Sequence, residues 1–202
     1  MGFHSGYLSP SWMKARVEVE VFRRSRSSCP NLATDCVRFL EDWLSPNDRV
    51  LEYGSGVSTA WFGSHAESVV SVENDPIWYG RVVDWTRDND RIAVHQFCGP
   101  IDPTLDGAVC ADYVGFLDTL PSDHFNLILD DGWARGSVAL RALRSLKPGG
   151  LLLFDDHSVD GLELIASTSS RPFLGEFLGL TRHWRKATWD DGNHRTAGFF
   201  KP

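Results

Sequence analysis

The chain has 202 residues, of which 42% are hydrophobic and 23% charged. That composition suits one large domain and excludes a disordered protein, which could not bury enough apolar surface to offset the entropy of ordering. A net charge of −7 argues against nucleic acid as a partner, because a duplex binder needs a basic face to displace counter-ions.

Arg23-Arg24-Ser25-Arg26, the one basic cluster, reads as a solvated loop. No stretch approaches the ~18–20 apolar residues of a membrane span, and the first residues lack the apolar core of a secretory signal. Cys29, Cys36, Cys98 and Cys110 form no CxxC pair, so reduced thiols and a cytoplasmic location are expected.

Taken in chain order, residues 1–28 read as a leading arm, helical from Trp12 to Arg24 and placed to cover an active site, ahead of a domain over 29–202. A helix is predicted over 32–44. Residues 49–53 form a first strand running into a glycine-rich turn that opens a helix. Residues 68–73 form a second strand, 76–88 a helix, and 92–97 a third strand with His95 packed in or beside it. The connection 98–122 carries a short helix near 112–119, and connections that long are often functional. A fourth strand follows over 125–129. The helix over 136–146 shows Val138, Leu140, Ala142, Leu143 and Leu146 on one broad apolar face. Lys147-Pro148-Gly149-Gly150 then stops it and turns into a fifth strand over 151–154. Residues 181–189 and 194–201 pair as a hairpin around Asp190-Asp191-Gly192-Asn193. Strands alternating with helices and ending in an antiparallel pair predict an α/β, doubly wound, mostly parallel seven-stranded Rossmann-like sheet.

The segment Leu51 to Thr59 (LEYGSGVST) lies between a strand and a helix. Its glycines allow backbone to approach a ligand, and the helix start offers free N–H groups. Glu73 closes the second strand, where an acid can accept hydrogen bonds from both hydroxyls of a ribose. Together these point to an adenosine-type cofactor at the carboxyl edge of the sheet. A nicotinamide dinucleotide fits less well. Thr59 stands at the third glycine of that fingerprint, and Glu52 would repel a pyrophosphate while attracting an amino group or a sulfonium.

Leu51 to Thr59, Ser71-Val72-Glu73 and Leu146 to Gly150 resemble the motifs of the class I S-adenosylmethionine-dependent methyltransferases. The resemblance spans about residues 32–158 plus the terminal hairpin. It implies a cofactor site of Glu52, Tyr53, Gly54, Ser55, Gly56, Ser58 and Thr59 around the methionine part. It also implies Glu73 at the ribose, residues 98–102 at the adenine, and Asn74 and Asp130 among the cofactor-binding residues. Ser58 stands where the family has its third glycine, and the acid often found after strand three is absent at Cys98-Gly99-Pro100.

Asp130-Asp131 and Asp155-Asp156-His157 close strands four and five. Clustered carboxylates repel one another unless a cation, a proton or a donor intervenes. The layout is similar to that of cation-dependent O-methyltransferases, which implies Asp130, Asp155 and Asp156 as ligands of a divalent cation such as Mg²⁺. Asp156 replaces the usual Asn, and the family's lysine is missing, leaving Arg135 or His157 to substitute. The metal-free arrangement, with the carboxylates capping helices or orienting substrate, is the preferred expectation. His157 is the expected general base, its ordinary pKa of ~6.5 suiting proton removal near neutrality. Asp130 and Asp155 are the other catalytic candidates. Tyr53, Trp78 and Trp133 are candidates to flank the ligands.

The expected activity is therefore methyl transfer from S-adenosylmethionine to a small-molecule acceptor, oxygen being one acceptor atom the resemblance allows. A non-catalytic binding protein of the same fold, or a nicotinamide-dependent oxidoreductase, are the alternatives.

Overall fold

Seven strands form one sheet in the order β3-β2-β1-β4-β5-β7-β6. They are β1 (Arg49–Tyr53), β2 (Ser68–Glu73), β3 (Ile92–Gln96), β4 (Phe125–Asp130), β5 (Leu146–Asp155), β6 (Arg185–Asp190) and β7 (Arg195–Phe200). The first five run parallel, and β7 pairs antiparallel with both β5 and β6. This computed structural model describes residues 29–97, 111–168 and 171–202. The arm over 1–28, the expected adenine-bordering residues 98–102, Cys98 and Cys110 lie outside the described residues.

Helices cover both faces. On one lie α1 (Thr34–Trp43), α2 (Val57–His65) and α3 (Pro76–Thr86), with α1 and α2 sharing a buried cluster with Val50, Val69, Leu127, Leu129, Leu151 and Leu153. The other carries the short α4 (Ala111–Gly115), a 3₁₀ turn (Phe116–Thr119), α5 (Arg135–Ala142), α6 (Val159–Thr168) and α7 (Pro172–Leu180). These pack around Leu51, Tyr53, Ile128, Leu152 and Phe154. The alternation within each strand follows from the pleat, which sends successive side chains to opposite faces. Because both faces are covered, the strands read as near-continuous apolar runs. None of the described helices is long and apolar enough to cross a membrane.

Three helices and strand β5 differ from the sequence reading. The predicted helix over 136–146 ends at Ala142, and Leu146 belongs to β5, opposite Phe125. The Ser145 carbonyl accepts the amides of both His124 and Phe125, which draws the chain into the sheet before the predicted stop. Helices α6 and α7 were not predicted. Their apolar positions (Leu162, Ile165, Leu174, Phe177) recur at helical spacing, and Pro172 at the first turn is a start signal. Gly161, Gly175 and Gly179 lower the intrinsic propensity, and burial against Phe154 and Phe199 overrides it.

The hairpin is tied to the start of α1. Asp191 accepts from the backbone N–H and the hydroxyl of Thr34, at 2.9 and 2.8 Å, and the Thr196 hydroxyl accepts from the Ala33 amide. These bonds fix the chain just after Asn31 and Leu32, which line a pocket at the carboxyl edge of the sheet.

Candidate active site at the carboxyl edge

The register aligns the acids. Glu52 and Ser71 are partners across β1 and β2, and Leu129 and Leu153 across β4 and β5, so Asp131 and Asp155 follow in the same phase. Glu52, Ser71, Glu73, Asp131 and Asp155 therefore share the α1–α2 face of the sheet.

A cavity of about 230 Å³ opens on that face, lined by Gly54, Ser55, Gly56, Val57, Ser58, Asp131, Trp78, Leu129, Asn31 and Leu32. It is smaller than the ~300–1,000 Å³ of typical ligand clefts, so it suits one end of a cofactor-sized molecule. Gly54 sits at φ +92°, and a Cβ there would lie 2.6 Å from the Asp131 carbonyl oxygen. Only glycine lets the turn after β1 pass against the end of β4.

Beneath the turn, Glu52 is fully buried. Its carboxylate accepts from the hydroxyls of Ser58, Thr59 and Ser71, the last at 2.6 Å. Thr59 in turn accepts the Gly56 amide at 2.8 Å. Burial pushes the Glu52 carboxyl up to about 7, against the pull of the three hydroxyls. Glu52 thus braces the start of α2 from below and does not face the cavity.

Glu73 closes the same network. One carboxylate oxygen accepts the Ser55 amide at 3.0 Å and the other the amides of Asn74 and Asp75 at 2.8 Å. A carboxylate has about four acceptor positions, so one remains on the oxygen that faces the turn. Burial raises its pKa, opposed by those three amides. Trp78 donates its indole N–H to the Ser55 carbonyl at 2.6 Å and walls the cavity.

At the ends of β4 and β5, carboxylate oxygens of Asp131, Asp155 and Asp156 lie within 4.8 Å of one another. Asp131 and Asp155 both have pKa values pushed up to about 7. Burial is the main cause for each. Arg135 opposes it at Asp131, and the neighbouring Asp131 and Asp156 add to it at Asp155. Arg135 reaches across this edge, donating to the carbonyl and carboxylate of Asp131 and to the carbonyls of Gly132 and Asp155.

No protein-family profile and no curated protein sequence matches the chain. Solved structures do. The O-methyltransferase from Bacillus cereus, determined with S-adenosylhomocysteine, aligns at TM-score 0.58 and 16% identity over 98% of this chain and 94% of that one. A methyltransferase from Geobacter sulfurreducens gives 0.55 and 17% over 96% and 93%. The N-methyltransferase NodS from Bradyrhizobium japonicum gives 0.55 and 14% over 90% and 97%. The fold is that of the class I methyltransferases.

Within this fold, Gly54, Ser55, Gly56 and Ser58, four of the expected cofactor contacts, line the cavity. Several other expected positions need correction. Tyr53 is fully buried, its hydroxyl donating to the Tyr113 carbonyl and its ring edge-on to Tyr113 at 4.9 Å. Thr59 is also fully buried and acts through Glu52. Asn74 contributes its amide to Glu73. Asp130, expected as cofactor contact, catalyst and metal ligand, is turned to the opposite face toward Tyr53 and Tyr113. Its two carboxylate oxygens are buried without a hydrogen-bond partner, and burial holds its pKa well above the usual range. Asp131 takes its place beside Asp155 and Asp156. The cause is the pleat, since a one-residue slip exchanges faces.

The oxygen donors of Asp131, Asp155 and Asp156 suit a hard divalent ion in kind. The Arg135 guanidinium, 3.1 Å from Asp131, already supplies countercharge, which favours the metal-free arrangement. His157 is half-buried, with Nδ1 2.8 Å from the Asp155 carbonyl. The Arg135 guanidinium lies 3.3 Å from the same nitrogen. Burial and the nearby Arg135 and Arg171 lower the His157 pKa, against the carbonyl contact and Asp156.

Proposed function

We propose that the protein transfers a methyl group from S-adenosylmethionine to a small-molecule acceptor. The observation that carries this reading is the cavity's wall, formed by the Gly54–Ser58 turn and by Asp131 just beyond β4. Three carboxylates, of Asp131, Asp155 and Asp156, with Arg135 against them, make this end of the cavity acidic, which disfavours a pyrophosphate and suits an amino group and a sulfonium. The electrostatic case against a dinucleotide thus rests on this cluster, since Glu52 lies under the turn.

In this reading the methionine part lies along Gly54–Ser58, and Glu73 takes a ribose hydroxyl at its open acceptor position. S-adenosylmethionine supplies an electrophilic methyl carbon. The acceptor's lone pair forms the new bond as the carbon–sulfur bond breaks, and placing the two partners in line supplies much of the acceleration. Asp131 and Asp155, with pKa values near 7, are matched to taking the acceptor's proton at neutral pH. The same fold serves an O-methyltransferase and an N-methyltransferase, so it leaves oxygen and nitrogen as acceptor atoms.

Calorimetry with S-adenosylhomocysteine and with NAD tests the reading. Binding of the first and not the second is expected. Binding of NAD alone would support the oxidoreductase, and binding of S-adenosylhomocysteine without turnover on any acceptor would favour a non-catalytic role.

A further inference from the structure

A second pocket, of about 90 Å³, lies across β5 from the acid cluster, between β5, α6 and α7. Its walls are Phe154, Leu162, Ile165 and Leu174, and its polar groups are Arg135, His157 and Arg171. Phe154, Leu162 and Leu174 are buried, so the interior is apolar.

The three polar groups are not equivalent. Arg135 is occupied by Asp131 and by three backbone carbonyls. Nδ1 of His157 lies 2.8 Å from the Asp155 carbonyl and 3.3 Å from Arg135. Arg171 is half-buried, and among the described residues its guanidinium makes no hydrogen bond or ion pair. A partly desolvated cation over an apolar wall is costly without a partner. Arg171 also precedes the first turn of α7, whose dipole favours negative charge at that end.

We propose that this pocket binds the carboxylate end of a small organic acid, with Arg171 as counter-ion, the imidazole of His157 within the same pocket and the hydrocarbon part against Phe154, Leu162 and Leu174. About 90 Å³ is the share of roughly three water molecules in the liquid. The pocket therefore encloses the charged end and a short apolar stem, and the rest of the molecule extends outward. Arg135 lines this pocket and bonds Asp131, which lines the first, so one ion pair links the two linings. An acid anchored at Arg171 can carry a hydroxyl or amine toward Asp131 and Asp155. Identifying that acid with the methyl acceptor rests on the methyltransferase reading, whereas the carboxylate site does not.

Butyrate serves as the probe, titrated against the full chain while the methyl NMR signals of Leu162, Ile165 and Leu174 are followed. Butyramide and butylamine are the neutral and cationic controls, and S-adenosylhomocysteine is titrated in a parallel sample. Butyrate should shift these signals saturably. Butyramide and butylamine should bind at least about tenfold more weakly, the scale of one charge-assisted hydrogen bond. Arg171→Gln should weaken butyrate by a similar factor, and Arg171→Lys should retain most of the affinity, both with unchanged spectra elsewhere. No saturable shift, equal binding of butyramide, or an Arg171→Gln variant with wild-type affinity would overturn the carboxylate site. S-adenosylhomocysteine binding without butyrate binding removes this proposal alone. Butyrate binding without S-adenosylhomocysteine binding supports the pocket and removes only the methyltransferase reading.

Discussion

Glu52 offers the sharpest quantitative test of how the turn is built. It is fully buried, carries three hydroxyl donors and titrates near pH 7, against 4.5 for its ordinary value. A carboxyl raised in the fold binds its proton more tightly there than in the unfolded chain. Its contribution is complete below about pH 4.5 and is lost as pH rises through about 7. Between pH 5 and pH 8 the loss amounts to roughly 2–3 kcal/mol. Glu52→Gln keeps one acceptor for Thr59 and Ser71, and Ser58 can rotate to accept from the new amide. The variant should fold, and it cannot titrate. Urea unfolding of wild type and variant at several pH values reads the difference in stability. The variant should gain about 2–3 kcal/mol relative to wild type on going from pH 5 to pH 8. A difference independent of pH would refute the raised pKa and the account of a strained, proton-holding brace under the turn. Because each titrating group other than Glu52 is common to both proteins, the comparison cancels most of their effect.

Three other outcomes are expected. Gly54→Ala should cost at least about 2 kcal/mol in thermal unfolding and weaken cofactor binding, because it adds a positive-φ penalty to a clash with the Asp131 carbonyl. Asp191→Ala should cost about 1 kcal/mol at pH 7 by removing the bonds to Thr34. Backbone amides hold the Asp191 pKa below its ordinary value, so this contribution is present above pH ~3.9 and lost as pH falls further. Wild-type stability equal to the variant's at pH 7 would contradict it. Excess chelator should leave methyl transfer unchanged, since the Arg135 guanidinium already offsets part of the charge of the carboxylate cluster. Loss of turnover that Mg²⁺ restores would instead assign the ion to Asp131, Asp155 and Asp156.

The succession of strands along the chain and the turn after β1 were legible in the sequence because apolar runs and glycines punctuate them directly. The bounds of β1 and β2 agree with the prediction to the residue. The choice between Asp130 and Asp131 was not legible, because adjacent residues on a strand differ only in phase, and phase is read against a neighbouring strand. Pairing of Leu129 with Leu153 decides it. Tyr53 was misplaced for the same reason, since its odd position on β1 sends it to the α5 face. Arg171 carried no signal, because its partners in the pocket come from α6 and β5, and α7 itself was hidden by its glycines.

The central claim is that the turn after β1 and Glu73 hold S-adenosylmethionine. A crystal structure of the wild-type chain grown with S-adenosylhomocysteine tests it most directly. The account predicts the amino acid end of the ligand along Gly54–Ser58 beside Asp131, and a ribose hydroxyl within ~3.2 Å of the Glu73 carboxylate. Ligand bound away from that turn, or an empty turn at saturating ligand, would contradict it.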